Sequence, residues 1–215
     1  MDIKNKSAWV GAIIILLLTI VATFATCLIE NRSKYNNYSF CIYRDNVELM
    51  YEGARADLVE CIDSTIRIYA PTTSVNGLQI LRKCEEYDID IFFVLAQAHI
   101  ESHFGTKGMA TKTNSIFNVY AYDGHGFDEI NLKGKYSHPD LSIEPYLKLL
   151  RKTYLVNGKT EIDLMHNYVN CDGNRYASST EYEENLLNKY HQYITNNALM
   201  NNFQRYSKYK ILAGK

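Results

Sequence analysis

Glu101 is the residue of this 215-residue chain placed by its neighbours for acid–base chemistry. It follows Phe92-Phe93-Val94-Leu95-Ala96-Gln97-Ala98-His99-Ile100, a run that is apolar apart from Gln97 and His99, and the Gly105 to Gly108 loop begins about one helical turn later. A helix of that composition is buried on nearly every side, so the carboxylate would sit where a buried helix opens onto a surface. Burial against apolar groups disfavours the charged form, and a Glu kept protonated near neutrality can serve as a general acid. His99 and His103 flank Glu101 at i, i+4 spacing, which puts both rings on one helix face. Their order, His-x-Glu-x-His, is not the His-Glu-x-x-His of zinc peptidases, and Gly105 would end the helix just past the second ring. No metal and no cofactor is expected; His99 is expected in the core and His103 at the edge of a cleft.

The stretch Leu95-Ala96-Gln97-Ala98-His99-Ile100-Glu101-Ser102-His103-Phe104-Gly105 resembles the core motif of the glucosaminidase family of peptidoglycan hydrolases (glycoside hydrolase family 73). That motif, Leu-Ala-Gln-Ala-x-x-Glu-Ser-x-x-Gly, is matched at every specified position. The resemblance implies a mainly α, α+β lysozyme-like domain with a small β lobe, Glu101 as the catalytic acid, and Ser102 and His103 beside the substrate. It begins near residue 65. The segment Asn114-Ser115-Ile116-Phe117-Asn118-Val119 is similar to the cleft-lining Asn-x-Phe-Gly-Ile of the family, with Asn118 in place of Gly; Asn readily adopts positive φ. Substrate contacts from Asn114, Phe117 and Asn118 are implied. Asn174-Arg175-Tyr176-Ala177-Ser178-Ser179-Thr180-Glu181-Tyr182 is similar to the family's Gly-Tyr-Ala-Thr-Asp-x-x-Tyr box, which puts Tyr176 at the cleft near the acid.

Tyr120 to His138 carries Gly124, Gly126 and Gly134 and reads as a small hairpin or irregular β lobe. In lysozyme-like enzymes such a lobe can present a second carboxylate. Asp123, Asp128 and Glu129 are the candidates, Glu129 first among them. The implied reaction is hydrolysis of a β-1,4 bond in the glycan strand of peptidoglycan, as an endo-beta-N-acetylglucosaminidase. Muramidase and lytic transglycosylase activity on the same fold are the enzymatic alternatives. A non-catalytic, membrane-tethered glycan-binding module is the alternative of another class.

These residues need elements to hold them. Asp90 is placed to cap the helix that carries Glu101. Upstream, Asp45 followed by Glu48 has capping-box spacing, and Val47, Met50, Ala54, Leu58, Cys61 and Ile62 recur at helical intervals, predicting a helix from about Asn46 to Tyr69 that ends before Pro71. Thr72, Thr73 and Ser74 offer a cap for a helix over Val75 to Glu86, with Leu78, Ile80, Leu81 and Cys84 inward. Tyr136 to Tyr154 reads as a loop entering an amphipathic helix with Pro145 in its first turn, and Tyr182 to about Ile194 as another helix. Beyond Asn197 the pattern says little.

Lys+Arg 23 against Asp+Glu 24 leaves the chain near neutral, so no polyanion partner and no nucleic acid is implied. Tyr 18 suits a carbohydrate groove, although an AT-rich gene gives the same bias. Ala8 to Ile29 is uninterruptedly apolar, long enough to cross a bilayer, and predicts a single-pass membrane anchor; the flanking charges do not decide its orientation, and the resemblance to peptidoglycan hydrolases implies a domain on the periplasmic or extracellular side. A cleaved signal peptide is the rival, its apolar part being only about 7 to 15 residues long; a lipoprotein signal ending at Cys27 is a third option. Glu30 to Phe40 lacks apolar periodicity and reads as linker. The expected organisation is therefore an anchor over 1–29, a linker over 30–44, a catalytic domain over 45–200 and a tail over 201–215.

Cys41, Cys61, Cys84 and Cys171 allow three full pairings and the spacing selects none. There is no Cys-x-x-Cys, no Walker loop, no Gly-x-Gly-x-x-Gly and no Gly-x-Ser-x-Gly, so zinc-ribbon, nucleotide-binding and serine-hydrolase readings lack their signatures. The absence of a wall-binding repeat fits a tethered or virion-associated enzyme, and a bacteriophage source is compatible with it.

Overall fold

The computed structural model describes residues 3–119 and 134–215, and of residues 3–18, 31, 35, 37, 38 and 40 it describes the backbone alone. Among the described residues the chain is mainly helical, with one isolated antiparallel bridge between Val169 and Arg175. The interior of the expected β lobe, with Asp123, Asp128 and Glu129, falls on residues 120–133 and lies outside the described residues.

The first helix, α1 (Ile3–Tyr69), is continuous over 67 residues, about 100 Å at 1.5 Å per residue. The start predicted at Asp45 does not occur, and Glu30 to Phe40, expected as linker, is helical. The reason is local. Between Gly11 and Gly53 there is neither Gly nor Pro, and the Asn, Ser and Tyr residues there are indifferent helix formers, not breakers; a helix already nucleated propagates through them. The described side chains from Thr19 to Asn46 are exposed, whereas Val47, Tyr51, Ala54, Leu58, Ile62 and Ile66 are buried at helical spacing. The predicted membrane anchor is not supported: among the described residues no helix is long and apolar enough to cross a membrane. Side chains of the apolar run are described only from Thr19, and Thr19 to Ile29 is about half the length that a span needs.

Helix α1 stops before Pro71, as its sequence predicts. Helix α2 (Gly77–Tyr87) takes its cap from Asn76, whose side chain accepts from Leu78 N–H at 2.8 Å. The Gly77 N–H donates to Asp63 of α1 at 2.7 Å. A Cβ on Gly77 would lie 2.8 Å from Ile62 Cγ2, so only Gly allows this approach.

Helix α3 (Ile91–Ser102) is the centre of the domain. Asp90 caps it by accepting from Phe92 N–H at 2.8 Å, and every residue from Ile91 to His99 is buried. It ends at His103, which adopts a left-handed conformation.

A short α4 (Ala110–Thr113) follows, then a 3-10 turn at Pro139–Ser142 leading into α5 (Ile143–Leu149), which runs on as a π turn over Leu150–Tyr154. The turn α6 (Glu161–His166) is closed by a Thr160–Asp163 capping box. Helix α7 (Tyr182–Ile194) packs antiparallel on α3: Tyr182 reaches Glu101, and Tyr190 reaches Asp90 at the opposite end.

The tail, little informative in sequence, forms α8 (Asn197–Leu212) antiparallel to α1. Arg205 pairs with Asp57 at 2.5 Å and Lys215 with Glu48 at 2.5 Å, while Tyr206 packs on Tyr51 and hydrogen-bonds Glu85 of α2. All five cysteines are free thiols.

Candidate active site

Glu101 is partly exposed, directly after the buried part of α3. Its Oε1 accepts a hydrogen bond from the Tyr182 hydroxyl in the first turn of α7. Asn118 lies on its other side, donating through Nδ2 to the Glu101 backbone carbonyl at 2.7 Å and standing 3.4 Å from Oε2. Asn118 has φ 50°, the left-handed conformation that this Asn in a Gly position is expected to tolerate. Its Oδ1 is buried with no hydrogen-bond partner among the described residues.

The other residues implicated by sequence are placed differently. Ser102 is 2 % exposed and its hydroxyl is engaged within the protein, donating to the Ile116 carbonyl at 2.7 Å and accepting from Gly105 N–H at 2.8 Å. It joins the loop after α3 to the 114–118 segment and does not present its hydroxyl to a cleft. Gly105 has φ 83° and a Cβ there would press on Ile116 at 3.2 Å, so both conformation and space favour Gly. Phe117 is buried and stacks on Tyr146 with ring centroids 3.8 Å apart. It meets the site through its carbonyl, which accepts from the Tyr176 hydroxyl at 3.1 Å.

Asn114 donates to the Tyr136 carbonyl at 2.8 Å, and Tyr136 N–H donates to Thr113 at 2.7 Å. Together they close the base of the segment that contains Glu129, a residue whose own position is outside the described residues.

The histidines are turned to a second face of α3. His99 is buried, with Nδ1 2.8 Å from the Tyr193 hydroxyl. Burial, then the positive charges of Lys189, His103 and Lys107, lower its pKa from 6.5 to about 4, so it is neutral. His103, partly exposed, packs its ring 4.8 Å from that of His99, and burial and the nearby lysines lower its pKa as well. Among the described residues no group of three or more His, Cys, Asp or Glu is arranged to hold a metal.

Beneath Glu101 lies a cluster of four tyrosines around one amide. Tyr176 stacks on Tyr168 at 4.5 Å and Tyr182 lies 5.6 Å from Tyr176. Gln97, fully buried, accepts through Oε1 from Tyr146 and from Tyr168 at 2.9 Å, and donates through Nε2 to Tyr182 at 3.0 Å. Burial holds the hydroxyl pKa values of Tyr146, Tyr168, Tyr176 and Tyr182 well above the ordinary range, so all four remain neutral donors.

Tyr182 and Gln97 were not singled out by sequence, although each carries a signal. Tyr182 closes the box that begins near Tyr176, and Gln97 is a polar residue inside an apolar run, where a buried amide must find partners.

A carboxyl held in this way, on a floor of neutral hydroxyls, can give a proton to a leaving oxygen and take one back. Residues 78–195 match the family model of mannosyl-glycoprotein endo-beta-N-acetylglucosaminidase. The match spans more than half of the chain, and the chain belongs to this glucosaminidase family (glycoside hydrolase family 73). Membership supports a glycoside hydrolase of the peptidoglycan-hydrolase kind, acting on the cell wall. No curated protein matched the chain.

Proposed function

We propose that the domain cleaves a β-1,4 bond of the peptidoglycan glycan strand as an endo-beta-N-acetylglucosaminidase, with Glu101 as general acid. One observation carries this reading. Glu101, the carboxylate of the family motif, stands at the exposed end of the buried α3 with its carboxyl oriented by Tyr182 and Asn118. In the reaction the protonated carboxyl gives its proton to the glycosidic oxygen as the bond to the anomeric carbon breaks. The positive charge that develops on the sugar ring must then be met by a second group.

Glu129 is the residue proposed for that role, either activating water or attacking directly, and the sugar's own acetamide is the other route. In support, the described residues on either side of the segment that carries Glu129 include Asn118, which donates to Glu101, and Tyr136, which is tied to Asn114. Tyr176 supports the cleft by holding the Phe117 carbonyl next to Asn118. The lysozyme-like arrangement of a helical domain and a second lobe belongs to the same proposal.

The test is mass spectrometry of products from purified peptidoglycan incubated with the protein and with Glu101→Gln. New reducing N-acetylglucosamine ends, made only by the unmutated protein, support the assignment. Reducing N-acetylmuramic acid ends would make it a muramidase and anhydro ends a lytic transglycosylase. Glycan binding without products from either protein would leave a binding module and end the enzymatic reading.

A further inference from the structure

The Gln97 amide lies at the centre of the tyrosine cluster with both its atoms engaged. A buried amide is costly to leave unpaired, and here Oε1 accepts hydrogen bonds from the hydroxyls of Tyr146 and Tyr168, while Nε2 donates one to Tyr182. The Tyr176 hydroxyl also interacts with this amide.

The orientation of an amide is assigned by its network, and this network has a preferred sense. With the amide reversed, its oxygen would face the Tyr182 hydroxyl and its nitrogen the hydroxyls of Tyr146 and Tyr168. A Tyr182 hydroxyl that donated to that oxygen would no longer donate to Glu101 Oε1. With the amide as placed, Gln97 Oε1 and Glu101 Oε1 are both served.

The sense of the chain has a consequence for the acid. Tyr182 receives a proton from Gln97, and Glu101 Oε1 is the acceptor that the structure shows for its own. A proton on Oε1 would point directly at the Tyr182 hydroxyl hydrogen. We propose that Gln97 is a positioning residue that acts through Tyr182, keeping Oε1 of Glu101 a permanent acceptor so that the acidic proton is loaded and released at Oε2. The inference rests on the reading of Glu101 as the acid.

The groups that face Glu101 among the described residues are consistent with a fixed donor chain. They include Tyr182 from α7, Asn118 from the loop, whose Nδ2 stands 3.4 Å from Oε2, Tyr168 and Tyr176 from the segment before α7 and, through Gln97, Tyr146 from α5. These are neutral hydroxyls and one neutral amide. His103 follows on the end of α3 with its ring on His99.

Two readouts test this. One is the pH dependence of kcat/KM on peptidoglycan; the other, which needs no substrate, is the side-chain carboxyl titration of Glu101 followed by carbon NMR. Tyr182→Phe removes a hydrogen bond to the ionised form, so Glu101 should titrate higher, on the order of one pH unit, and the alkaline fall in activity should move up with it. Gln97→Met should shift both in the same direction by less. The double variant should shift little further than Tyr182→Phe alone, because Tyr182 is the hydrogen-bonded link between Gln97 and Glu101.

If Gln97→Met fails to fold, Gln97→Asn decides: it keeps a neutral amide but withdraws it by one methylene from Tyr182, and should raise the Glu101 titration in the same direction as Tyr182→Phe by less. A folded Tyr182→Phe protein with an unmoved Glu101 titration, or a double variant whose shift is the sum of the two single ones, overturns the proposal. An unmutated protein that cleaves no glycan would instead sink the proposed function, and the carboxyl titration would still decide the role of Gln97.

Discussion

The two ends of α3 carry the same pair, a carboxylate and a tyrosine of α7, in opposite settings. At the start, Asp90 accepts from Phe92 N–H at 2.8 Å and from the Tyr190 hydroxyl at 2.8 Å, and its own N–H donates to Glu161 at 3.2 Å. The first turn of a helix has free N–H groups and attracts negative charge, so α3 itself supplies part of what holds Asp90. At the other end the free groups are carbonyls, which repel a carboxylate. Glu101 therefore depends on donors from elsewhere in the chain, Tyr182 from α7 and Asn118 from the loop. The contrast separates a carboxylate that serves the fold from one whose charge is governed by side chains that can be altered without unmaking the helix.

That contrast is most sharply tested by Glu101→Gln. Turnover should fall by about 10²–10⁴-fold, while the thermal midpoint stays close to that of the unmutated protein. A large loss of stability would instead put Glu101 in the same class as Asp90.

A third tie between the same two helices, His99 with Tyr193, predicts a pH effect on stability. His99 has a native pKa of about 4 against 6.5 in the unfolded chain. Above pH 6.5 both states are neutral and stability is complete. As pH falls from 6.5 towards 4, the unfolded chain binds a proton that the native state refuses. The native state should lose on the order of 3 kcal/mol across that window and nothing further from this group below it. Urea unfolding across the window, with His99→Asn showing a flatter profile, measures it.

Asp90→Ala removes the cap and leaves Tyr190 without its acceptor. It should cost about 2 kcal/mol in urea unfolding with turnover of the remaining folded protein kept within a few-fold. The smallest effect is expected from Tyr190→Phe, about 1 kcal/mol of stability, whereas the equivalent removal at the other end, Tyr182→Phe, should be read in the titration of Glu101 and not in the melt.

How much of this could be read from the chain depends on the range of the interaction. The apolar run of α3, its Asp90 cap, the stop before Pro71 and the extent of α7 are set by neighbours within a few positions, and periodicity and capping chemistry find them. Asp45 and Glu48 also make a good local signal, yet α1 runs through them, because a capping pair starts a helix only where something upstream has stopped one. The setting of Ser102 and Phe117 is illegible for another reason: a motif shows that a residue is needed and not which way it faces, and both are engaged inside the protein. Tyr182 is 81 residues from Glu101 and Tyr168 is 71 from Gln97. No spacing rule reaches that far, so the donor chain under Glu101 appears only when α3 and α7 are side by side.

The continuity of α1 makes it a gear shaft. Its exposed portion and the portion packed into the domain belong to one rod, so the heading of the active site is set by the count of residues between them. One residue inserted between Thr19 and Asn46 would turn the domain about 100° around the rod and carry it 1.5 Å farther along, whereas an insertion of about 18 residues, five full turns, would restore its heading. The number of residues in that stretch is thus an angular setting, although none of its described side chains is buried.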